Sequence, residues 1–137
     1  MQEIKPYIHT VAYYETDKMG ITHHSNYVRF MEEARVDFLE QIGFGFEKLE
    51  AQGIVSPVVS IECNYKNTTT FADKISIKVS VAKLSSIKFS INYVMECNGK
   101  LSFTGNSSHC FLDLNGHPVV IEKKFPEFYA KMKEFCD

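Results

Sequence analysis

Several features that define large protein classes are absent from this sequence of 137 residues. No apolar run approaches the roughly 20 residues that span a bilayer, and neither end carries a lipidation signature, so we expect no membrane insertion. Lysine and arginine number 15 against 17 aspartates and glutamates, and the formal charge is −2. The chain as a whole therefore offers no electrostatic surface for nucleic acid, and an anionic ligand must be met by a local cluster.

The cysteines lack the spacing of a zinc site, and nothing at the N-terminus resembles a secretory signal. Reduced thiols and a cytoplasmic location are therefore expected. Hydrophobic residues make up 45% of the chain and charged residues 23%, the balance of a globular protein. There is no internal repeat and no low-complexity linker, so residues 1–137 are predicted to form a single domain. The four widely spaced cysteines are Cys63, Cys97, Cys110 and Cys136.

The first third of the chain predicts one strand followed by one long helix. Residues Tyr7 to Glu15 alternate loosely and are rich in β-branched and aromatic types, which favours a strand. From Asn26 onward, apolar residues recur at spacings of three and four until Gly43 ends the pattern. Ser25 or Asn26 is expected to cap this helix. The apolar stripe is wide enough to lie against a sheet.

The rest of the chain is predicted to be rich in strands. A short amphipathic segment, Phe46 to Gln52, joins the helix to the next strand, and Asn98-Gly99 is a strong hairpin signal. The tail, Glu127 to Phe135, is expected to form a short helix. The fold class is therefore α+β, with a five-stranded, mostly antiparallel curved sheet wrapped around one central helix. The four later strands are predicted at Pro57 to Tyr65, Lys74 to Ala82, Ser86 to Cys97 and Lys100 to Leu112.

Ionisable side chains concentrate in the loop that precedes the long helix. The first amide groups of a helix have no internal acceptor and carry partial positive charge, so they can hold a carbonyl oxygen on which negative charge develops. Here those donors lie near His24. A carboxylate just upstream can attack the same carbonyl carbon or activate a water molecule. Asp17 occupies that place in the sequence.

Other interpretations of these residues remain open at this point. Asp17 can be a turn residue that accepts hydrogen bonds from its own loop. His23 and His24 can bind a metal with Asp17 or Glu15, although adjacent side chains diverge and no spaced histidine pair accompanies them, so no metal is expected. Core packing is favoured over pocket lining for the neighbouring tyrosines, Tyr13 and Tyr14. A solvated helix face or a subunit contact is expected for Arg29, Glu32, Glu33 and Arg35.

The segment from Tyr14 to Tyr27, continued by Phe30 to Arg35, resembles the signature of the 4-hydroxybenzoyl-CoA thioesterase family, in its YbgC-like form. The resemblance covers nearly the whole chain. It implies a hot-dog fold, hydrolysis of acyl-CoA thioesters, and a homodimer with a continuous sheet that often pairs into a homotetramer. No cofactor or metal is implied.

Carried over residue by residue, the resemblance gives Asp17 as the catalytic carboxylate and the backbone amide of His24 as the group that polarises the thioester carbonyl. The His24 side chain is expected to assist. His23 stands where the family usually has an aromatic residue, and Thr68-Thr69 stands where it often has Pro-Ala, so acyl selectivity is expected to differ. Substrate-binding positions implied by the same match are Gly20, His23, Asn26 and Tyr27.

Two rival functions stay open. The first is a thioesterase acting on acyl groups held by acyl carrier protein, which presents the same thioester on a phosphopantetheine arm. The second is a non-catalytic protein that binds acyl thioesters, for which loss of the acidic residue at position 17 is expected; the presence of Asp17 disfavours it. Lys66, Lys83 and Lys88 lie in the β-rich half, and none of them is assigned to the phosphates of CoA.

Overall fold

One antiparallel sheet and one long helix dominate the structure. The computed structural model describes residues 2–136, so Met1 and Asp137, the ends of the predicted 1–137 domain, lie outside the described residues. The strands are β1 (Tyr7–Thr10), β2 (Val58–Tyr65), β3 (Lys74–Leu84), β4 (Lys88–Cys97) and β5 (Lys100–Cys110). The helices are α1 (Asn26–Gln41), α2 (Phe46–Ala51), α3 (Ile121–Lys124) and α4 (Pro126–Glu134). The short α3 was not predicted from the sequence.

The five strands form a single sheet in the order β1-β3-β4-β5-β2, and every neighbouring pair is antiparallel. The predicted hairpin joins β4 to β5, with Asn98 and Gly99 both at positive φ, 52° and 76°. A two-residue turn of this kind matches the twist of the flanking strands. The predicted α+β class with five strands is confirmed. Strands β1 and β2 form the two edges of the sheet.

Helix α1 lies against the sheet through the predicted apolar stripe, whose members are buried. Near its start, the ring of Tyr27 stacks on Phe103 of β5 at 5.1 Å between centroids. One turn later, Met31 lies over Gly105, where a methyl group in place of the α-hydrogen would come within 2.7 Å of Phe103 Cε1. The lack of a side chain at Gly105 therefore allows helix and sheet to approach closely. The buried stripe comprises Tyr27, Phe30, Met31, Ala34, Phe38 and Ile42.

Three local predictions were wrong. Strand β1 ends at Thr10, and Tyr13–Glu15 form a turn of 3-10 helix that points both tyrosine side chains into solvent, at 75% and 82% exposure for Tyr13 and Tyr14. Ser25 is the N-cap residue of α1 but makes no capping hydrogen bond, because its hydroxyl lies 2.8 Å from His23 Nδ1. The Asn26 side chain likewise bonds elsewhere, to a carbonyl in the preceding loop.

Arg35 was also predicted wrongly, since its side chain is buried rather than solvated. Its Nη1 donates to the Tyr93 hydroxyl at 3.0 Å, that hydroxyl lies 2.7 Å from Ser107 Oγ, and Ser107 Oγ lies 2.7 Å from His109 Nε2. His109 Nδ1 has no hydrogen-bond partner among the described residues. Burial, reinforced by the positive charge of Arg35, lowers the pKa of His109 to about 4. A chain of four buried polar groups thus runs from α1 through β4 to β5.

Two expectations from the sequence concern reduced cysteines and membrane insertion. All four cysteines are free thiols. Within residues 2–136, no helix is both long and apolar enough to cross a membrane.

Candidate functional site

The loop ahead of α1 presents the Asp17 carboxylate on a tight turn. The Gly20 N–H donates to the Asp17 carbonyl at 2.9 Å, and the Met19 N–H donates to Asp17 Oδ1 at 2.8 Å. Gly20 has φ of 79°, a conformation that glycine adopts without strain. The turn role considered from the sequence is therefore real, but it uses only Oδ1. Within residues 2–136, Asp17 Oδ2 has no hydrogen-bond partner and is available for chemistry.

A second segment, residues 69–70, fixes this loop from the other side. The Thr22 N–H donates to the Thr69 carbonyl at 2.8 Å, and the two threonine hydroxyls lie 2.6 Å apart. The Thr70 hydroxyl donates to the Gly20 carbonyl at 2.7 Å. The Tyr27 hydroxyl lies 2.9 Å from Thr69 Oγ1, which joins the first turn of α1 to the same segment. The turn that carries Asp17 is thus held at both ends.

The start of α1 leaves one backbone donor open. The Asn26 N–H donates to the His23 carbonyl at 3.0 Å, the Tyr27 N–H donates to the His24 carbonyl at 3.3 Å, and the Ser25 N–H donates to His23 Nδ1 at 3.3 Å. The His24 N–H finds no acceptor in the described part of the chain. Because it lies at the positive end of a helix of 16 residues, it is suited to receive an oxyanion.

Asp17 and His24 line the same cavity, which has a volume of about 310 Å³. Of the six site residues predicted from the sequence, Tyr27 joins them there. Tyr65 also lines the cavity, and its hydroxyl donates to the His24 carbonyl at 3.0 Å. Its ring meets the Tyr27 ring edge to face at 5.4 Å, which gives the cavity an aromatic wall. The other lining residues are Met19, Ile21, Thr22, Lys66, Asn67 and Thr68.

The other three predicted site residues lie outside the lining. Gly20 forms the turn after Asp17. The His23 ring lies tilted against that of His24, with centroids 4.3 Å apart. The backbone N–H of His23 donates to the Glu15 carbonyl at 2.8 Å. Asn26 Nδ2 donates to that same carbonyl at 2.8 Å. These residues shape the loop and the helix start, and their predicted contacts with substrate stay predictions.

Sequence reasoning missed Tyr65 as a site residue and left Lys66 unassigned. Tyr65 ends strand β2 and Lys66 follows it, and β2 reaches the helix start only because it pairs with β5 at the sheet edge, Tyr65 opposite Phe103. No local pattern carries that information. The single useful signal was the departure at Thr68-Thr69, which the structure brings to the cavity and to the loop that holds Asp17.

A metal centre was not expected from the sequence. Among residues 2–136, no group of three or more histidine, cysteine, aspartate or glutamate side chains is arranged to hold a metal ion.

Comparison with known proteins places this chain in a family. Residues 11–135 match the family described as the Thioesterase-like superfamily. A Bacillus subtilis protein named "Putative acyl-CoA thioesterase YneP" is 31% identical over 122 residues, which cover 88% of each chain. A Staphylococcus aureus structure described as DHNA-CoA thioesterase superposes with a TM-score of 0.90 at 30% identity, covering 95% of this chain and 89% of its own.

A Thermus thermophilus structure described as a hypothetical protein also superposes, with a TM-score of 0.88 at 30% identity, covering 96% of this chain and 99% of its own. The fold predicted from the sequence is confirmed by these neighbours. The chain therefore belongs to the thioesterase-like superfamily, with a hot-dog fold, and its enzyme class is that of a thioester hydrolase.

Proposed function

We propose that this protein hydrolyses an acyl-CoA thioester to the free acid and CoA, with Asp17 as nucleophile or general base. One observation carries the proposal: the free Oδ2 of Asp17 and the open N–H of His24 belong to residues that line one cavity. The proposal is narrower than the superfamily, and it keeps the 4-hydroxybenzoyl-CoA thioesterase family as the proposed subgroup.

In the proposed reaction the thioester carbonyl accepts a hydrogen bond from the His24 N–H. The partial positive charge at the start of α1 stabilises the oxyanion that forms when the carbonyl carbon is attacked. Asp17 either attacks that carbon itself or removes a proton from the attacking water. The CoA thiolate leaves. If Asp17 is the general base, water has already supplied the hydroxyl group of the acid; if Asp17 is the nucleophile, a water molecule then hydrolyses the acyl–Asp17 anhydride, which releases the acid and restores the carboxylate. Positioning, one carboxylate and one oxyanion donor suffice in this scheme, and neither a cofactor nor a metal takes part.

The cavity favours a short or aromatic acyl group. Tyr27 and Tyr65 supply the aromatic wall, and Met19 and Ile21 add apolar surface. The volume of about 310 Å³ lies at the small end of ligand pockets. The name of the S. aureus relative, a DHNA-CoA thioesterase, is in keeping with an aromatic acyl group. Lys66 lies in the lining and is the proposed contact for a phosphate of the carrier.

Assembly is proposed to follow the sequence-based expectation of a homodimer or homotetramer in the cytoplasm. Strand β2 supports it, because among residues 2–136 it pairs on one side only, with β5. Its apolar side chains Val58, Val59 and Ile61 are exposed. An open edge with apolar residues is a template for pairing with another strand. Light scattering coupled to size-exclusion chromatography measures the mass directly, and a monomer would contradict this part of the proposal.

The function is tested by following free thiol release from acetyl-, hexanoyl-, palmitoyl- and benzoyl-CoA, alongside hexanoyl-acyl carrier protein. We expect turnover of a CoA ester, fastest with benzoyl-CoA or hexanoyl-CoA and slowest with palmitoyl-CoA. Hydrolysis of the carrier-protein ester alone would transfer the assignment to that class of substrate. Tight binding of CoA esters without any thiol release would instead indicate a non-catalytic protein that binds acyl thioesters.

A further inference from the structure

Glu15 is a buried carboxylate, two residues before Asp17, that the proposed reaction does not use. Its exposure is 2%. Oε1 accepts a hydrogen bond from the Ala12 N–H at 2.7 Å and lies 2.9 Å from His9 Nε2. A buried carboxylate is costly unless it is partnered, so these contacts fix the Glu15 side chain firmly against the end of β1.

The backbone of Glu15 makes a second set of contacts, with the start of α1. Its carbonyl accepts two hydrogen bonds at 2.8 Å, one from the His23 N–H and one from Asn26 Nδ2. These two donors flank His24, the residue with the open N–H. One residue thus joins three parts of the site: the end of β1, the loop of Asp17 and the helix start.

His9 extends this arrangement into the core. Its ring packs on Phe30 of α1 with centroids 4.0 Å apart, and its Nδ1 lies 3.4 Å from Glu33 Oε1. The Tyr7 hydroxyl donates to Glu33 Oε1 at 2.7 Å. Burial, together with this bond to the Glu33 carboxylate, raises the pKa of Tyr7 to about 12, so the hydroxyl keeps its proton. Glu15 is therefore attached to a rigid support rather than to a free loop.

From these contacts we infer that Glu15 is a positioning residue, which fixes the Asp17 carboxylate relative to the His24 N–H. The inference rests on the proposed function and adds a residue to it. The Asp17 carboxylate lies on a turn and the His24 N–H lies at the start of a helix. In the proposed reaction both must contact the same thioester carbonyl group. Glu15 is the residue that bonds to the helix start while being covalently joined to the turn. A displacement of about 1 Å in such a pair can cost about 100-fold in rate.

Thiol release and thermal unfolding are measured for Glu15→Ala, Glu15→Gln and the control Glu33→Gln. Glutamine keeps an acceptor for the Ala12 N–H, so we expect Glu15→Gln to retain kcat within about threefold. Glu15→Ala removes both side-chain contacts, and we expect kcat to fall by about 10- to 100-fold with KM within about twofold. Glu33→Gln alters the other carboxylate beside His9 but keeps an acceptor for the Tyr7 hydroxyl and leaves the contacts of Glu15 in place, so it is expected to leave kcat within about twofold.

The same substitutions are made in an Asp17→Asn background, which distinguishes positioning from general damage to the fold. Because Glu15 is inferred to act through Asp17, we expect Glu15→Ala to lower kcat by less than about threefold in the Asp17→Asn protein, which lacks that carboxylate. An equal loss of rate in both backgrounds overturns the inference, as does a folded Glu15→Ala protein that keeps its kcat. If Glu15→Ala does not fold, Asn26→Leu replaces it, and removal of its bond to the Glu15 carbonyl is expected to lower kcat at unchanged KM.

Hydrogen exchange of the backbone amides in residues 16–24 gives a readout that needs no activity. We expect Glu15→Ala to accelerate exchange in this segment about tenfold or more, with little change in β3 and β4. Unchanged exchange contradicts the inference. A parent protein that hydrolyses no thioester, but whose loop exchange rises in Glu15→Ala, contradicts the proposed function and leaves the positioning of the loop intact.

Discussion

His109 on β5 sets a limit on the stability of the fold at acid pH. Its pKa is lowered by burial and by Arg35 from an ordinary 6.5 to about 4 in the folded protein. Between these pH values the unfolded chain binds a proton that the folded chain does not, so the free energy of unfolding falls as the pH decreases. The stability that depends on a neutral His109 is therefore fully present above pH 6.5. It is lost as the pH falls, and the loss levels off below pH 4. Each pH unit between these two values lowers the free energy of unfolding by about 1.4 kcal/mol, so the total loss caused by His109 is about 3 kcal/mol.

The perturbation that isolates this effect is His109→Leu, which removes the titrating ring and leaves Ser107 its contact with the Tyr93 hydroxyl. Urea unfolding is followed by circular dichroism at pH 7.0, 6.0, 5.0 and 4.0, at one protein concentration. Because the substitution also changes the free energy of unfolding at pH 7, the comparison uses only how that free energy changes with pH in each protein. We expect the difference in the free energy of unfolding between parent and variant to move by about 3 kcal/mol across this range, in favour of the variant at low pH.

His117→Leu is the matched control, because the His117 side chain is 75% exposed and its removal takes away a histidine without a buried environment. We expect this control to follow the pH dependence of the parent closely. A difference between parent and His109→Leu that stays constant from pH 7 to pH 4 would refute the reasoning. It would mean that His109 gains a proton in the folded protein as easily as in the unfolded chain.

Two further substitutions test the packing of α1 and the wall of the cavity. Gly105→Ala brings a methyl group within 2.7 Å of Phe103, and we expect a loss of about 1–3 kcal/mol in the free energy of unfolding by urea titration; an unchanged value would contradict the close approach. Tyr65→Phe removes the hydrogen bond to the His24 carbonyl, and we expect kcat for thiol release to fall by about 2- to 10-fold. Tyr14→Phe, exposed and outside the cavity, is the control, and an equal loss there would count against the role of Tyr65.

Local sequence patterns predicted most of the framework. The stripe of α1, the strand predicted at Lys74 to Ala82 and the Asn98-Gly99 turn depend on neighbours in the chain, and each was confirmed. The 3-10 turn at Tyr13–Glu15 was missed, because its aromatic residues have strand-like character while its geometry is set by the Glu15 carboxylate on the Ala12 N–H. The residue types in this segment do not indicate that hydrogen bond.

The buried polar chain escaped prediction for a different reason. Arg35 has the spacing of a charged helix face, yet its side chain is buried and donates to the hydroxyl of Tyr93 on β4. Such a contact depends on the packing of elements far apart in sequence. The candidate site shows the same division: the motif pointed to Asp17 and His24, which line one cavity, whereas Tyr65 arrives through the pairing of β2 with β5.

The chain contains a matched control for its own proposed catalytic residue. Asp113 forms the same turn as Asp17: the Asn115 N–H donates to Asp113 Oδ1 at 2.8 Å, and the Gly116 N–H donates to the Asp113 carbonyl at 3.1 Å. Asp113 does not line the cavity that contains Asp17. Asparagine retains the Oδ1 acceptor that both turns need, so we expect either substitution to keep the local turn. At Asp113 the substitution also weakens the contact of Oδ2 with His117 Nδ1, 3.6 Å away.

The most direct test therefore compares the rate of thiol release from the best acyl-CoA ester for the parent, Asp17→Asn and Asp113→Asn. We expect Asp17→Asn to lower kcat by about 100-fold or more, the contribution of a positioned acid–base group, while Asp113→Asn stays within about twofold of the parent. An Asp17→Asn protein that hydrolyses the ester at the rate of the parent would contradict the assignment of Asp17 as the catalytic carboxylate.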